Sequence, residues 1–199
     1  MSASLYKLPG KAAARAKSTK TFQLRVELRG VKPAVWRRIV VPTTIKLSRL
    51  HGVLLTAMGW QGGHLHEFLF ADGCYGPAED AGLDAGLEDE SRVSLRKALE
   101  GCATFTWVYD YGDNWQHKIK VEREVDLGIP LESPMCITGQ GACPPEDVGG
   151  VPGYEEFLQA MADPSHPEHD ELKAWHGGPF EPNTFDVQAV QQRLDEIKL

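Results

Sequence analysis

The stretch ATFTWVYDYGDNWQHKIKVEREV, residues 103–125, carries the clearest structural signal in the chain. Large apolar side chains alternate with small or polar ones on both sides of a central turn, which is the period-two pattern of half-buried strands. The turn residues at 112–114, Gly-Asp-Asn, tolerate a positive φ. The stretch therefore predicts a β-hairpin in which Trp115 and His117 lie on the same face.

The segments before the hairpin predict more strands and one helix. Residues 21–31 and 32–42 alternate in the same way and are joined by a Gly/Pro turn. Residues 47–60 repeat leucine and methionine at helical spacing, with Ser48 as the expected cap and a glycine at the end. A short strand is expected at 64–70, followed by a long acidic surface loop at 71–90.

The rest of the chain predicts mostly helices. A short helix is expected at 94–101, and three more at 153–161, 165–178 and 185–197, the last capped by Asp186. The predicted fold class is therefore α+β, with a mainly antiparallel sheet covered by helices and a helical C-terminal third. Residues 1–20 predict a flexible basic arm, and residues 21–199 a single domain.

Charge is distributed unevenly along the chain. The net charge is −7, but residues 1–50 carry twelve Lys and Arg against one acid, whereas residues 51–199 carry nine against 27. A basic segment can contact DNA, and Arg37 and Arg38 are the candidate residues, although the two halves can also pair within the fold. No apolar stretch is long enough for a membrane span, so a cytoplasmic protein with reduced thiols is expected.

The hairpin also offers candidate chemistry. Asp113 beside His117 could form an acid–base pair, since a carboxylate can orient an imidazole. The alternative is an ordinary turn in which polar side chains bond their own backbone. Three aromatic residues exceed what a turn requires and could form the wall of a pocket, namely Tyr109, Tyr111 and Trp115.

Several residues are candidate zinc ligands. His64 and His66 lie at i and i+2, so they point to the same face of a strand that begins early enough. Cys136 and Cys143 are separated by six residues, a looser spacing than the usual zinc knuckle. The alternatives are polar residues at a strand end and ordinary buried thiols. Motifs for nucleotide phosphates, a serine nucleophile elbow or an HExxH zinc helix do not occur, which leaves enzymatic activity open.

Five segments occur together in a recognisable order: GVKPAVWRRIVVP, LSRLHGVLLTAMGW, HLHEF, YDYGDNWQH and CITGQGACPPEDVGG. In this order the chain resembles the plasmid pRiA4b ORF-3-like family over about residues 21–195. The resemblance implies a compact α+β domain associated with plasmids and insertion elements, sometimes with a resolvase-like label, but no defined activity. Tyr111 stands where the family often has Phe, and Gln116 where Glu is common.

Three functions remain open on these grounds. The first is an interaction module that recognises an unknown protein partner through the hairpin and the 136–150 loop, with binding residues Tyr109, Tyr111, Asp113, Trp115, His117, Glu146 and Asp147. The second is a DNA-associated accessory protein of an insertion element. The third is a metal-dependent enzyme with a His/Asp/Cys site, which requires those groups to converge in space.

Overall fold

The structure, a computed structural model, describes residues 17–80 and 86–199. Most of the predicted arm and part of the acidic loop lie outside these residues. The elements in chain order are β1 Lys20–Leu28, β2 Trp36–Pro42, α1 Leu47–Met58, β3 His66–Phe70, β4 Gly73–Gly76, β5 Leu87–Asp89, α2 Leu95–Leu99, β6 Thr104–Tyr109, β7 Trp115–Asp126, β8 Met135–Gln140, α3 Gly150–Ala162, α4 His169–His176 and α5 Val187–Leu194. In the described ranges, no helix has the length and apolar character needed to cross a membrane.

The strands form one eight-stranded sheet in the order β5-β4-β3-β6-β7-β1-β2-β8. Every neighbouring pair is antiparallel except β4 and β5, which are parallel. The predicted hairpin is the β6–β7 pair, with Tyr109 opposite Trp115 and Trp107 opposite His117. The α+β class and the mainly antiparallel sheet are thus confirmed.

The core lies on one face of this sheet, against α1. Alternate residues of the central strands are almost fully buried, as the period-two pattern predicted. The buried side of α1 contributes residues three or four apart, because a helix returns to the same face at that spacing. The main contributors from both layers are Leu24, Val26, Ile39, Trp107, Ile119, Leu47, Leu50 and Leu54.

Two predictions about the remaining segments were wrong or incomplete. The expected loop at 71–90 contains two short strands: β4, which has a glycine at each end and pairs with β3 just before it, and β5, which pairs with β4. The C-terminal third is not helical throughout, because β8 pairs with the edge of β2 and the three helices are separated by loops. The Gly139-Gln140 end of β8 has low strand propensity, so the pairing with β2 accounts for this part of the strand.

The helix ends follow the sequence more closely. Gly59 adopts the left-handed conformation, and its N–H donates to the carbonyl of Leu55 at 2.8 Å. Asp186 caps α5 as predicted by accepting from two backbone N–H groups. The predicted Ser48 cap was wrong, because α1 begins at Leu47 and the cap position lies two residues before Ser48, at Lys46, which pairs with Ser94.

A buried arginine connects the sheet to the end of α1. Arg37 on β2 is 2% exposed, and its Nε donates to the carbonyl of Ala57 at 2.9 Å. Its Nη1 donates to the carbonyls of Trp36 and Gln140, each at 2.9 Å. Burial lowers the pKa of Arg37, and the carbonyls at the helix C-terminus supply negative partial charge that helps to keep the group ionised.

Replacing this guanidinium with an apolar side chain should destabilise the protein. We expect Arg37→Met to lower the free energy of unfolding by about 2–4 kcal/mol, because several buried carbonyls lose their donor. Urea denaturation followed by circular dichroism measures the change. The matched control is Arg49→Met on the exposed side of α1, expected to change stability by less than about 0.5 kcal/mol. Equal losses in the two variants would contradict this role for Arg37.

Candidate functional site

A carboxylate of the 143–147 loop is fixed against the connection between α1 and β3. Glu146 accepts a hydrogen bond from the hydroxyl of Tyr109 at 2.7 Å. It also accepts from the backbone N–H groups of Gln61 at 3.2 Å and Gly62 at 3.3 Å. Burial raises the pKa of Tyr109, and the hydrogen bond to Glu146 raises it further, so the phenol stays neutral and serves as a donor.

The same connection holds an aromatic cluster beneath the loop. The indole of Trp60 donates to the carbonyl of Pro144 at 3.0 Å, and its ring centroid lies 5.0 Å from that of Tyr109 and 5.9 Å from that of Trp115. Tyr109 and Trp115 are each 1% exposed. The prediction that they contribute to an accessible binding surface is therefore corrected: they belong to the core, whereas Tyr111 is exposed.

The turn of the hairpin is organised by Asp110, which has a φ of 58°. Its Oδ1 accepts from the N–H groups of Gly112 at 2.9 Å and Asp113 at 3.3 Å. Asp113 in turn accepts from the N–H of Gly149 at 3.2 Å. At Gly150, a Cβ would lie 2.5 Å from the carbonyl oxygen of Asp113. The turn therefore packs directly against the start of α3, and only glycine permits this close approach.

The predicted acid–base pair is not brought together. His117 is completely buried, and its Nδ1 lies 3.3 Å from the carbonyl oxygen of Trp107. Burial lowers the pKa of His117 to about 3, so its imidazole is neutral at physiological pH. In the described part of the chain, no hydrogen bond or ion pair joins it to Asp113, which instead contacts the start of α3.

The two histidines of the HLHEF segment also separate. Because β3 begins at His66, His64 lies before the strand and the two side chains do not share a face as a strand pair. His66 is buried, with Nε2 3.0 Å from a carboxylate oxygen of Glu90. The ring of His51 stacks on it, with centroids 3.4 Å apart and an interplanar angle of 6°. His66 therefore belongs to a buried polar group rather than to a site with His64.

His64 instead lies between two aspartates. Its Nδ1 is 3.4 Å from an oxygen of Asp110, and its Nε2 is 3.5 Å from an oxygen of Asp147. One ligand atom from each of the three residues lies within 4.8 Å of the others. The cluster combines one predicted metal candidate, one predicted binding residue and Asp110, which the sequence pattern assigned only to the turn.

The cysteines are placed elsewhere. Cys136 and Cys143 are free thiols within electrostatic reach of Arg37, and burial raises the pKa of both. The group around His64 contains neither of them. The convergence of histidines, Asp113 and cysteines in one cleft, which a metal-dependent enzyme of this kind would require, is not observed among the described residues.

The two arginines predicted to contact DNA are already engaged within the protein. Arg37 is buried by the contacts described above, so it cannot reach a phosphate in this conformation. Arg38 makes a two-point contact with Glu122, with Nε and Nη2 at 2.6 and 2.8 Å from its oxygens. The hydrogen bond from Arg38 lowers the pKa of Glu122 to about 2, the sign of a carboxylate held in its charged form. In this conformation, neither guanidinium is therefore free to bind a DNA phosphate.

Two neighbouring clefts open beside the 143–147 loop. One, of about 280 Å³, lies between α3 and α4 and has both apolar and acidic walls. The other, of about 460 Å³, lies between the loop, the end of α1 and the end of α4. Both are lined by Asp147 and Trp175. The sequence pattern did not indicate Trp175, which lies near the end of α4 and is 48% exposed.

A family model, a relative and a solved structure each match this chain over most of its length. A family model described as plasmid pRiA4b ORF-3-like protein matches residues 20–189. An uncharacterized protein, y4hQ, of Sinorhizobium fredii (strain NBRC 101917 / NGR234) is 49% identical over 178 residues, which cover 88% of this chain and 91% of that protein. The crystal structure of MM3350, a protein of unknown function from Methanosarcina mazei Go1, aligns with a TM-score of 0.77 at 33% identity and covers 85% of this chain and 96% of that one.

The contact between the hairpin turn and α3 can be tested by adding one methyl group. Gly150→Ala combines a φ of 68° with a collision against the Asp113 carbonyl. We expect it to lower the free energy of unfolding by about 3 kcal/mol or more. The control is Gly128→Ala, which has a φ of 73° but no atom within 4 Å of the added Cβ, and should cost only about 1–2 kcal/mol. Equal losses of unfolding free energy in the two variants would show that the close approach of Gly150 to Asp113 does not contribute to stability.

The buried imidazole of His117 predicts a pH-dependent stability. Its folded pKa is lowered to about 3 from an ordinary value near 6.5, so the unfolded chain binds a proton first as the pH falls. Stability is therefore lost progressively below about pH 6.5, by about 2 kcal/mol at pH 5 from this residue. The neutral variant His117→Asn should lose about 2 kcal/mol less than wild type between pH 7.5 and pH 5 in urea denaturation. If the free energy of unfolding fell equally with pH in the wild type and in His117→Asn, His117 would not be the cause of the pH dependence.

Proposed function

The chain belongs to the plasmid pRiA4b ORF-3-like family, and within that family we propose that it is an interaction module that binds a cationic segment of a partner protein. The observation that carries the proposal is the composition of the cleft between α3 and α4. Four carboxylates line it, around an apolar floor. The acidic residues are Asp147, Glu156, Glu168 and Glu171, and the apolar ones are Val148, Phe157, Leu172 and Trp175.

This composition matches the side chains of lysine and arginine. Each carries a positive group at the end of an apolar stem, so the stem can pack on the floor while the charge meets the carboxylates. Trp175 adds an aromatic face that can hold a cation. Its ring packs edge-on against Phe157, with centroids 6.0 Å apart, which gives the indole a fixed support.

The adjoining cleft extends the surface beyond one side chain. It continues from Trp175 and Asp147 to Gln61 and Glu146, and it includes the two prolines of the loop. Because the clefts share two residues, an extended peptide could place basic side chains in both. This surface retains the predicted role of Glu146 and Asp147 and replaces the buried aromatic residues of the hairpin with Trp175.

The overall charge supports a cationic partner. Residues 51–199 carry nine basic against 27 acidic residues, a balance of −18, and these residues form both walls of the clefts. Such a field attracts positive ligands and repels phosphate. It therefore favours a basic protein segment over DNA as the ligand of this surface.

Binding of a short lysine- and arginine-rich peptide tests the proposal. We expect saturable binding by isothermal titration calorimetry at roughly 50 mM salt and weaker binding at roughly 300 mM, because screening reduces charge attraction. A matched peptide with glutamine at every basic position should not bind. Trp175→Ala should weaken binding of the basic peptide by roughly tenfold through loss of the aromatic contact.

A pair of charge-matched variants separates the cleft from the general acidity of the chain. Glu168→Gln with Glu171→Gln removes two cleft carboxylates and should weaken binding by roughly fivefold to tenfold. Glu155→Gln with Glu181→Gln removes two exposed carboxylates that do not line the clefts and should change it by less than about twofold. Equal effects of the two pairs, or no binding at low salt, would refute the proposal.

A further inference from the structure

We propose that His64, Asp110 and Asp147 form a binding site for a divalent transition-metal ion. The three side chains come from three separate connections: before β3, at the β6–β7 turn and before α3. The ring nitrogens of His64 lie 3.4 Å from Asp110 and 3.5 Å from Asp147. The site goes beyond the interaction function, and its test requires no peptide.

Two carboxylates face the ring of His64, one beside each ring nitrogen. A cation held by one of these nitrogens and by both carboxylates would offset their negative charge. In the part of the chain that the structure describes, neither Asp110 nor Asp147 forms an ion pair with a lysine or arginine.

The spacing also fits ligands arranged around an ion. Charge-assisted hydrogen bonds between nitrogen and oxygen measure about 2.7–2.9 Å, which is shorter than either contact of His64. Tetrahedral ligands that each lie about 2.1 Å from a zinc ion are about 3.4 Å from one another. The separations of 3.4 and 3.5 Å agree with this value, and one ligand atom of each residue lies within 4.8 Å of the others.

Asp110 is the most buried of the three proposed ligands, at 8% exposed. Its Oδ1 accepts from the N–H groups of the turn, which fixes the carboxylate. Its Oδ2 lies 3.4 Å from Nδ1 of His64. The turn therefore holds one oxygen while the other faces the proposed site.

The fold holds both aspartates in unusual backbone conformations. Asp110 has a φ of 58° and Asp147 a φ of 60°, which is rare for residues other than glycine and is often found at functional sites. Asp147 follows Glu146, whose carboxylate is fixed by the α1–β3 connection. The two ligands are thus presented by turns whose geometry is set elsewhere in the structure.

The ligand set and its exposure indicate the class of ion. One imidazole nitrogen with two carboxylate oxygens suits Zn²⁺, Co²⁺ or Mn²⁺ better than Ca²⁺ or Mg²⁺, which prefer oxygen ligands alone. The side chains of His64 and Asp147 are 31% and 72% exposed. The ion would therefore keep coordination positions open to solvent or to a ligand in the adjoining cleft.

Titration of the purified, untagged protein with Zn²⁺ and Co²⁺ tests this site. We expect one ion per chain by calorimetry, and cobalt d–d absorption bands of a site that includes nitrogen. His64→Gln, Asp110→Asn and Asp147→Asn should each weaken Zn²⁺ binding by about tenfold or more. The asparagines preserve the turns, since Asn tolerates positive φ and retains an acceptor oxygen.

The matched control is Asp113→Asn, which removes a carboxylate of the same turn that is not a proposed ligand. It should leave the affinity for Zn²⁺ within about twofold, because screened charges contribute little. If Asp113→Asn weakened Zn²⁺ binding as much as Asp110→Asn, the effect would be due to the overall negative charge rather than to coordination, and the proposed site would be wrong. Unchanged binding in all three ligand variants would place the ion elsewhere, for example on the thiols, and would also overturn it. Failure of the wild type to bind either ion would refute the proposal.

Discussion

The buried guanidinium of Arg37 is the interaction on which the arrangement of layers depends. It connects β2 to the last carbonyls of α1 and to the end of β8, and its charge centre lies 4.4 Å from the ring of Phe185, just before α5. A buried charge requires several well-placed acceptors, so it fixes the position of each element that supplies one. The end of α1 and the connection that follows are thereby held over the sheet.

The candidate surfaces follow from that position. The connection after α1 carries Trp60 and Gln61, which anchor the 143–147 loop through Pro144 and Glu146. The loop in turn leads into α3, whose first residue packs on the hairpin turn. Loops held by several separate contacts can present carboxylates in defined positions, which is what recognition of a basic segment or a metal ion requires. The His64 cluster and the acidic clefts thus use one scaffold, with Asp147 in both.

The sequence pattern predicted correctly those features that depend only on residues close together in the chain. The alternation of the hairpin, the glycine after α1 and the aspartate before α5 each act within a few residues, so they were predicted correctly. The failures concern segments whose structure depends on strand pairing that the local pattern does not show. The strands β4, β5 and β8 are short or glycine-containing, and each pairs with another strand of the sheet. The family resemblance, which uses five segments together, was confirmed for residues 20–189.

For the site, the sequence by itself determined which polar residues are present and which of them sit in turns. It could not determine burial, because the alternation that places Trp115 and His117 on one face does not say whether α1 covers that face. Nor could it decide that His64 meets Asp110 and Asp147 while His66 meets Glu90. The paired residues lie far apart in the chain: 24 positions for His66 and Glu90, 46 for His64 and Asp110, and 83 for His64 and Asp147. Only the packing of separate strands and loops in the folded sheet brings such residues into contact, because proximity in space over such separations is a property of the whole fold.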